Sequence, residues 1–197
     1  MPFIEIKIVP FKSKNDSYNV QPLRSNNEIG DFLFFLRRNK FAKRDIFLFL
    51  FGINTGLRMS DIVCRKVGDI KYSSTPQIIE QKTGKKRTLY LESMQKQIED
   101  YTVNMDDNDW FSRKGTGHLQ PKAVYQIFQK VADGLERDDI GTHTLRKTFG
   151  YHYYKRTKDI VFLMEIFGHS NQQITKRYIG ITQDEISDSL KNFRLGF

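Results

Sequence analysis

The chain has 197 residues, 39% hydrophobic and 13% aromatic, which is enough for one domain with a full core. Its formal charge is +9, and the excess sits in the first hundred residues, which carry 18 Lys+Arg against 11 Asp+Glu, compared with 14 against 12 in the rest; this suits a polyanion partner or a solvated basic surface. The longest apolar run, IFLFLFGI at 46–53, is too short to cross a membrane, the single Cys64 excludes an internal disulfide, and the N-terminus lacks a secretion signal, so a cytoplasmic protein is expected.

In chain order, residues 1–24 alternate weakly (Phe3, Ile4, Ile6, Ile8, Val9) and then turn polar, which predicts a strand or arm and a linker. Ser25-Asn26-Asn27-Glu28 predicts a capping box, opening a helix with Ile29, Phe32, Leu33 and Leu36 on one face. A second helix, about 41–54, is apolar nearly all round, as a core helix is, and Gly56 should stop it. Ser60 is the expected cap of a short helix through Asp61, Ile62 and Val63. The stretch QIIEQKTGKKRTLYL, 77–91, predicts a hairpin about a Thr-Gly turn, with Lys82 flanking the turn on the first strand. Ser93 can start a helix ending near Val103, and NMDDND, 104–109, reads as an acidic loop.

Pro121 suits the first turn of a helix facing Val124, Ile127, Phe128 and Val131 inward. Helices are predicted at about 143–156 and 159–167, stopped by Gly168, and at 171–179, stopped by Gly180. A capping box at 182–185 opens a last helix, 183–193, with Ile186, Leu190 and Phe193 on one stripe. The expected fold is mainly α with a small antiparallel β-sheet, one α+β domain over 25–197 after an arm of residues 1–24.

Several stretches can carry chemistry. HTLRKTF, 143–149, places His143 and Arg146 on one face of a helix. A guanidinium grips phosphate in a fork and an imidazole beside it can move a proton, although short pairs of this kind are common on plain surfaces. His152 falls about half a turn out of phase with His143 and reads as structural. In NTGLRMSD, 54–61, Arg58 stands where a core helix breaks, as a site residue or a surface residue near a turn. Asp61 either orients a base or guanidinium or favours its own helix N-terminus.

In QKTGKKRT, 81–88, a mobile hairpin can carry Lys82 into a groove as a general acid, while Lys85, Lys86 and Arg87 fit backbone-phosphate contacts or a solvated patch. Asp106, Asp107 and Asp109 suit a turn better than a Mg²⁺ site. The sequence has no HExxH, no GxxxxGK[ST] and no GxSxG. Phosphate chemistry here would need neither metal nor nucleotide, and no cofactor is expected.

With Arg58, Lys82, His143, Arg146, His169 and Tyr178 in this order, in TGLRMSD, KTGKKRT, HTLRKTFGYH and GHSNQQITKRYIG, the chain resembles the catalytic domain of the tyrosine recombinases, the phage-integrase family, over roughly residues 22–194. The resemblance implies that Tyr178 attacks a scissile DNA phosphodiester and forms a 3′-phosphotyrosyl bond. Arg58 and Arg146 would clamp the non-bridging oxygens, and His169 would donate a further hydrogen bond to them. His143 would act in proton transfer, and Lys82 would protonate the 5′-oxygen leaving group. Asp61 falls where the family often has an acidic residue supporting the site. Lys85, Lys86, Arg87, Lys147 and Arg177 are the expected phosphate contacts. The chemistry fits these roles. A tyrosine of pKa ~10 is only ~0.1% ionised at pH 7 and needs cations and a base around it. Fixed cations stabilise the charge that builds on the equatorial oxygens.

The implied function is site-specific recombination or integration of phage or mobile-element DNA. The implied partners are double-stranded DNA and further copies of the chain, assembled on DNA through the last helix, whose apolar stripe suits docking within its own chain equally well. Family members usually carry an N-terminal core-binding domain, and residues 1–24 are too few to form one. A partner protein is then expected to replace it, or DNA is gripped on one face, or the chain no longer recombines. Two other readings are a recombinase-fold DNA-binding regulator or accessory factor, and a type IB topoisomerase-like relaxing enzyme.

Overall fold

A computed structural model describes residues 20–181, together with 190, 191, 193, 194 and 196. Helix α1 (Asn26–Leu36) begins at the expected capping box: Ser25 Oγ accepts from the Glu28 amide at 3.2 Å, and the Glu28 carboxylate accepts from the Ser25 amide at 3.0 Å. Helix α2 (Ala42–Thr55) is the core helix, with Phe47, Leu48, Phe49 and Phe51 buried. Phe32 of α1 stacks on Phe49 with centroids 4.6 Å apart and meets Phe128 edge-on at 5.4 Å, so aromatic packing joins α1, α2 and the later helix that carries Phe128.

Gly56 ends α2 in the left-handed region, φ 61°, where a Cβ would also lie 2.4 Å from the Phe149 ring. The chain then turns sharply into α3 (Met59–Val63). Ser60 is not its cap. The helix starts earlier, because the Arg58 carbonyl already accepts from the amides of Asp61 at 2.9 Å and Ile62 at 3.1 Å, which makes Arg58 the N-cap.

Strands β1 (Gln77–Ile79) and β2 (Lys86–Thr88) form the expected hairpin, with Gln77 opposite Thr88 and Ile79 opposite Lys86. Lys82 lies in the turn itself, not on the first strand. The Glu80 amide donates to Lys85 O at 3.0 Å and the Gly84 amide donates to Glu80 O at 2.8 Å, which leaves 81–83 as the turn. A 3-10 turn at Glu92–Met94 leads into α4 (Gln95–Thr102), so Ser93 sits inside that turn and caps nothing. The acidic loop is a turn: Asp109 Oδ2 accepts from the Asp106 amide at 3.1 Å, and Asp107 Oδ1 accepts from the Tyr72 hydroxyl at 2.7 Å. A second hairpin of two-residue strands, β3 (Arg113–Lys114) and β4 (Gly117–His118), is too short to leave an alternation pattern in the sequence.

Four helices follow. α5 (Pro121–Gly134) buries Val124, Phe128 and Val131, with Ile127 packed at the core margin. α6 (Thr142–Thr157), α7 (Ile160–Phe167) and α8 (Gln172–Ile179) match the expected spans closely. Asp159 and Asn171 cap α7 and α8, and Gly168 and Gly180 end them in the left-handed region.

The main core runs through α1–α5 to Leu145 of α6. A small second core of Leu163, Phe167 and Ile179 lies against α6, with Tyr178 packed at its edge. Gly150 of α6 allows this approach: a Cβ there would lie 2.6 Å from Ile179 and 2.7 Å from Phe167. Its missing side chain is what lets α7 and α8 reach the helix that carries His143 and Arg146.

Residues 20–24, read from sequence as linker, are strapped across α6. Leu23 is fully buried, its amide donates to Thr148 Oγ1 at 2.9 Å, and its carbonyl accepts from His152 Nε2 at 2.9 Å, the structural role expected of that histidine. Arg24 Nη2 donates to Gly180 O at 3.0 Å. The alternating pattern at Phe3–Val9, the capping box at 182–185 and most of the helix 183–193 lie outside the described residues. Leu190 and Phe193 of that stripe are exposed.

Candidate active site

Five of the sequence-selected residues, Arg58, His143, Arg146, His169 and Tyr178, converge where α6, α7 and α8 meet the break between α2 and α3. Tyr178 is in the last turn of α8, half-buried, its ring edge-on to Phe167 at 5.3 Å and to His169 at 5.2 Å. Its Oη lies 3.1 Å from His143 Nδ1. Burial pushes the phenol up to about 12, against the opposing charges of Arg146 and Arg58 and a hydrogen bond from Arg146. The phenol therefore keeps its proton near neutral pH.

His143 is open to solvent at its outer edge but crowded by protein on the others. Desolvation lowers its pKa, and so do the charges of Lys147, Arg146, Arg58 and Lys82. A neutral imidazole places Nδ1 beside the phenol, and in the tautomer that leaves a lone pair on Nδ1 a proton can pass from oxygen to nitrogen. The field of Lys82 at His143 also locates the turn lysine on this side of the molecule.

Arg146 is 3% exposed and has an unusual set of partners. Nη1 donates to Gly56 O at 2.6 Å and Nη2 to Phe167 O at 3.1 Å. These carbonyls stand at the C-terminal ends of α2 and α7, where helix dipoles favour a cation. The guanidinium also lies 4.5 Å from the Phe167 ring centroid. Burial lowers its pKa to about 10, which leaves it charged at neutral pH. Carbonyls hold Arg146 without cancelling its charge, and that charge remains available to an anion.

Arg58 is held differently. Its Nη1 donates to Glu80 Oε2 at 2.8 Å and lies 3.9 Å from Asp61 Oδ2. Asp61 is fully buried, and its Oδ1 accepts from the Gln81 amide at 2.7 Å. Asp61 thus fastens the base of the Lys82 turn to α3. Glu80 was not singled out from sequence. Its Oε2 also accepts from Thr83 Oγ1 at 2.8 Å, and its Oε1 lies 3.6 Å from Arg87 Nη1. Burial alone would raise its pKa, but the hydrogen bonds from Thr83 and Arg58 and the charges of Arg58 and Arg87 outweigh it and hold the carboxyl below the usual range. An acidic residue two positions before a turn lysine carries no periodicity or motif that marks it.

His169 follows Gly168, the stop of α7, and its Nδ1 lies 2.9 Å from Thr175 Oγ1. Burial lowers its pKa, as do the charges of Arg146 and Arg58. The five residues expected at phosphates divide into two groups. Lys85, Lys86 and Arg177 are exposed. Arg87 and Lys147 are turned inward. Arg87 Nη2 donates to Thr55 O at 2.6 Å, and Lys147 Nζ donates to Val20 O at 2.6 Å while lying 5.3 Å from the Tyr178 ring centroid. Both are built into the scaffold of the site and are not on its outer surface. Among the described residues, no group of three or more His, Cys, Asp or Glu is placed to hold a metal ion, and no helix is long and apolar enough to cross a membrane.

The chain is similar to known proteins. The model of the phage integrase family matches residues 24–185. The probable integrase/recombinase YoeC of Bacillus subtilis (strain 168) is 44% identical over 181 residues, covering 88% of this chain and 97% of that protein. The solved structure of XerA recombinase superposes with a TM-score of 0.70 at 18% identity, over 100% of this chain and 70% of that one. XerH recombinase, solved on its difH substrate before cleavage, gives a TM-score of 0.62 at 19% identity, over 89% of this chain and 55% of XerH. The chain thus spans nearly all of YoeC but about half of XerH. A mainly helical domain with small antiparallel sheets, a family match over most of its length and a relative of 44% identity lead to one assignment: the chain belongs to the phage integrase family, the tyrosine recombinases.

Proposed function

We propose that this chain cuts and rejoins DNA at specific sites, with Tyr178 as the nucleophile that forms a 3′-phosphotyrosyl bond. The observation that carries the reading is the contact of Tyr178 Oη with His143 Nδ1 at 3.1 Å, beside a buried arginine held by the carbonyls of Gly56 and Phe167. The phenol is too basic to ionise alone, so its proton passes to His143 as oxygen attacks phosphorus. Arg146 and Arg58 hold the non-bridging oxygens and stabilise the charge that grows there. His169 adds a hydrogen bond, and Lys82, carried on the turn, protonates the departing 5′-oxygen. In the return step a 5′-hydroxyl attacks the phosphotyrosine and regenerates Tyr178, so the bond energy is conserved.

Lys85, Lys86 and Arg177 contact phosphates outside the reacting one. The chain works on double-stranded DNA in the cytoplasm of a bacterial or phage-infected cell. Copies associate on DNA through the C-terminal helix. The test is to incubate the protein with nicked duplexes tiled across the DNA flanking its own gene, with chelator present and no ATP. A protein–DNA adduct that survives denaturing electrophoresis supports the reading, and no adduct on any duplex refutes it.

A further inference from the structure

Thr175 has no role in the reaction as described so far. It is fully buried on α8, one turn before Tyr178, and its Oγ1 lies 2.9 Å from His169 Nδ1. A hydroxyl has one proton to give. Its other possible acceptor, Asn171 O, is at 3.4 Å, a long and weak contact, and that carbonyl already receives the Thr175 amide at 3.4 Å. The nearer acceptor is the imidazole nitrogen. Of the two rotamers a threonine favours inside a helix, Thr175 adopts one that aims Oγ1 at the ring and leaves only the long contact to Asn171 O.

The ring is equally constrained. The His169 amide donates to Met164 O at 3.0 Å, and the imidazole sits between Phe167, 5.4 Å away, and Tyr178, 5.2 Å away. We propose that Thr175 is a positioning residue: its hydroxyl donates to His169 Nδ1 and thereby fixes the tautomer in which Nε2 carries the proton. This rests on the recombinase reading above and deepens it. A doubly protonated imidazole would donate from both nitrogens and need no such control. A ring kept neutral by burial and by the two arginines has a single proton, and its place decides whether Nε2 gives a hydrogen bond to a phosphate oxygen or meets it with a lone pair.

The test uses the whole chain with Thr175→Val, which keeps the shape and removes the hydroxyl, and Thr175→Ser, which keeps the hydroxyl. Long-range proton–nitrogen NMR on DNA-free protein should show the His169 proton on Nε2 in wild type and in Thr175→Ser. In Thr175→Val the Nδ1 resonance should move towards that of an unbonded lone pair. The rate of adduct formation on a nicked duplex should fall about ten- to a hundredfold in Thr175→Val, the loss seen when a metal-binding histidine is deprived of its outer hydrogen-bond partner, and stay within about threefold of wild type in Thr175→Ser. A wild-type His169 protonated on Nδ1, or a Thr175→Val protein that forms adduct at the wild-type rate, overturns the proposal. A wild type that forms no adduct defeats the recombinase reading, while the NMR arm still decides the tautomer.

Discussion

Glu80→Gln removes a carboxylate that two guanidiniums, those of Arg58 and Arg87, share. Its Oε2 takes Arg58 Nη1 at 2.8 Å and its Oε1 lies 3.6 Å from Arg87 Nη1. Glutamine keeps the shape and one acceptor oxygen, so the change reads mainly the charge. Breaking a fully buried ion pair from one side costs about 3–5 kcal/mol, whereas an exposed pair is worth about 0–1 kcal/mol. Here the side chains of Glu80, Arg58 and Arg87 are 9%, 20% and 16% exposed, so water screens part of the interaction. We expect a loss of about 1–3 kcal/mol, or roughly 2–12 °C in Tm for a domain of this size. The pH dependence supplies a second, independent check. A carboxyl held below its ordinary value stabilises the fold above the unfolded-state pKa of about 4.3, and that contribution disappears as pH falls through the folded value. The gap between wild type and Glu80→Gln in thermal unfolding should therefore be full at pH 7 and close progressively below about pH 4. Equal melting temperatures at pH 7, or a gap that persists in acid, would refute the argument.

Two further outcomes follow from the placement of the site residues. Lys82 is exposed in its turn, so Lys82→Ala should melt like wild type yet slow strand cleavage by about 10²–10⁴-fold, as loss of a general acid does. Replacing the leaving 5′-oxygen by sulfur, which departs without a proton, should restore the rate, and failure of that rescue removes Lys82 from the proton-transfer step. Because its surroundings lower the pKa of His143, wild-type cleavage should hold its plateau to below pH 6.5 and fall only where His143 protonates. A rate that already halves at pH 6.5 or above contradicts the assignment of His143 as the acceptor.

Much of this fold can be read from the chain because its punctuation is local. Ser25 and Glu28 form a capping box from contacts within four residues, and Gly56, Gly168 and Gly180 stop helices because the left-handed turn favours glycine. Arg58, His143, Arg146, His169 and Tyr178 were legible as an ordered set. Their separation along the chain says nothing of the distances between them, and those depend on Gly150 letting α7 and α8 onto α6. The failures have physical causes as well. Glu80 and Thr175 act through partners that only folding brings near, so their neighbours in sequence do not mark them. Arg87 and Lys147 sit within basic stretches, and composition alone cannot tell a cation aimed at DNA from one donating to Thr55 O or Val20 O. Residues 20–24 look like linker because they are short and polar, yet Leu23 is buried against α6. Ser60 misled because a serine near a helix start is only a candidate cap, and the Arg58 carbonyl had already begun the helix.

The central claim is that Tyr178, alone among nine tyrosines, becomes covalently joined to DNA. The most direct measurement is peptide mass spectrometry of the trapped adduct, run beside Tyr178→Phe. The account predicts a nucleotide-bearing peptide that contains Tyr178 in wild type, and no adduct from Tyr178→Phe although it still binds the same duplex. Adduct formed by Tyr178→Phe, or a nucleotide carried on any other residue, would contradict it.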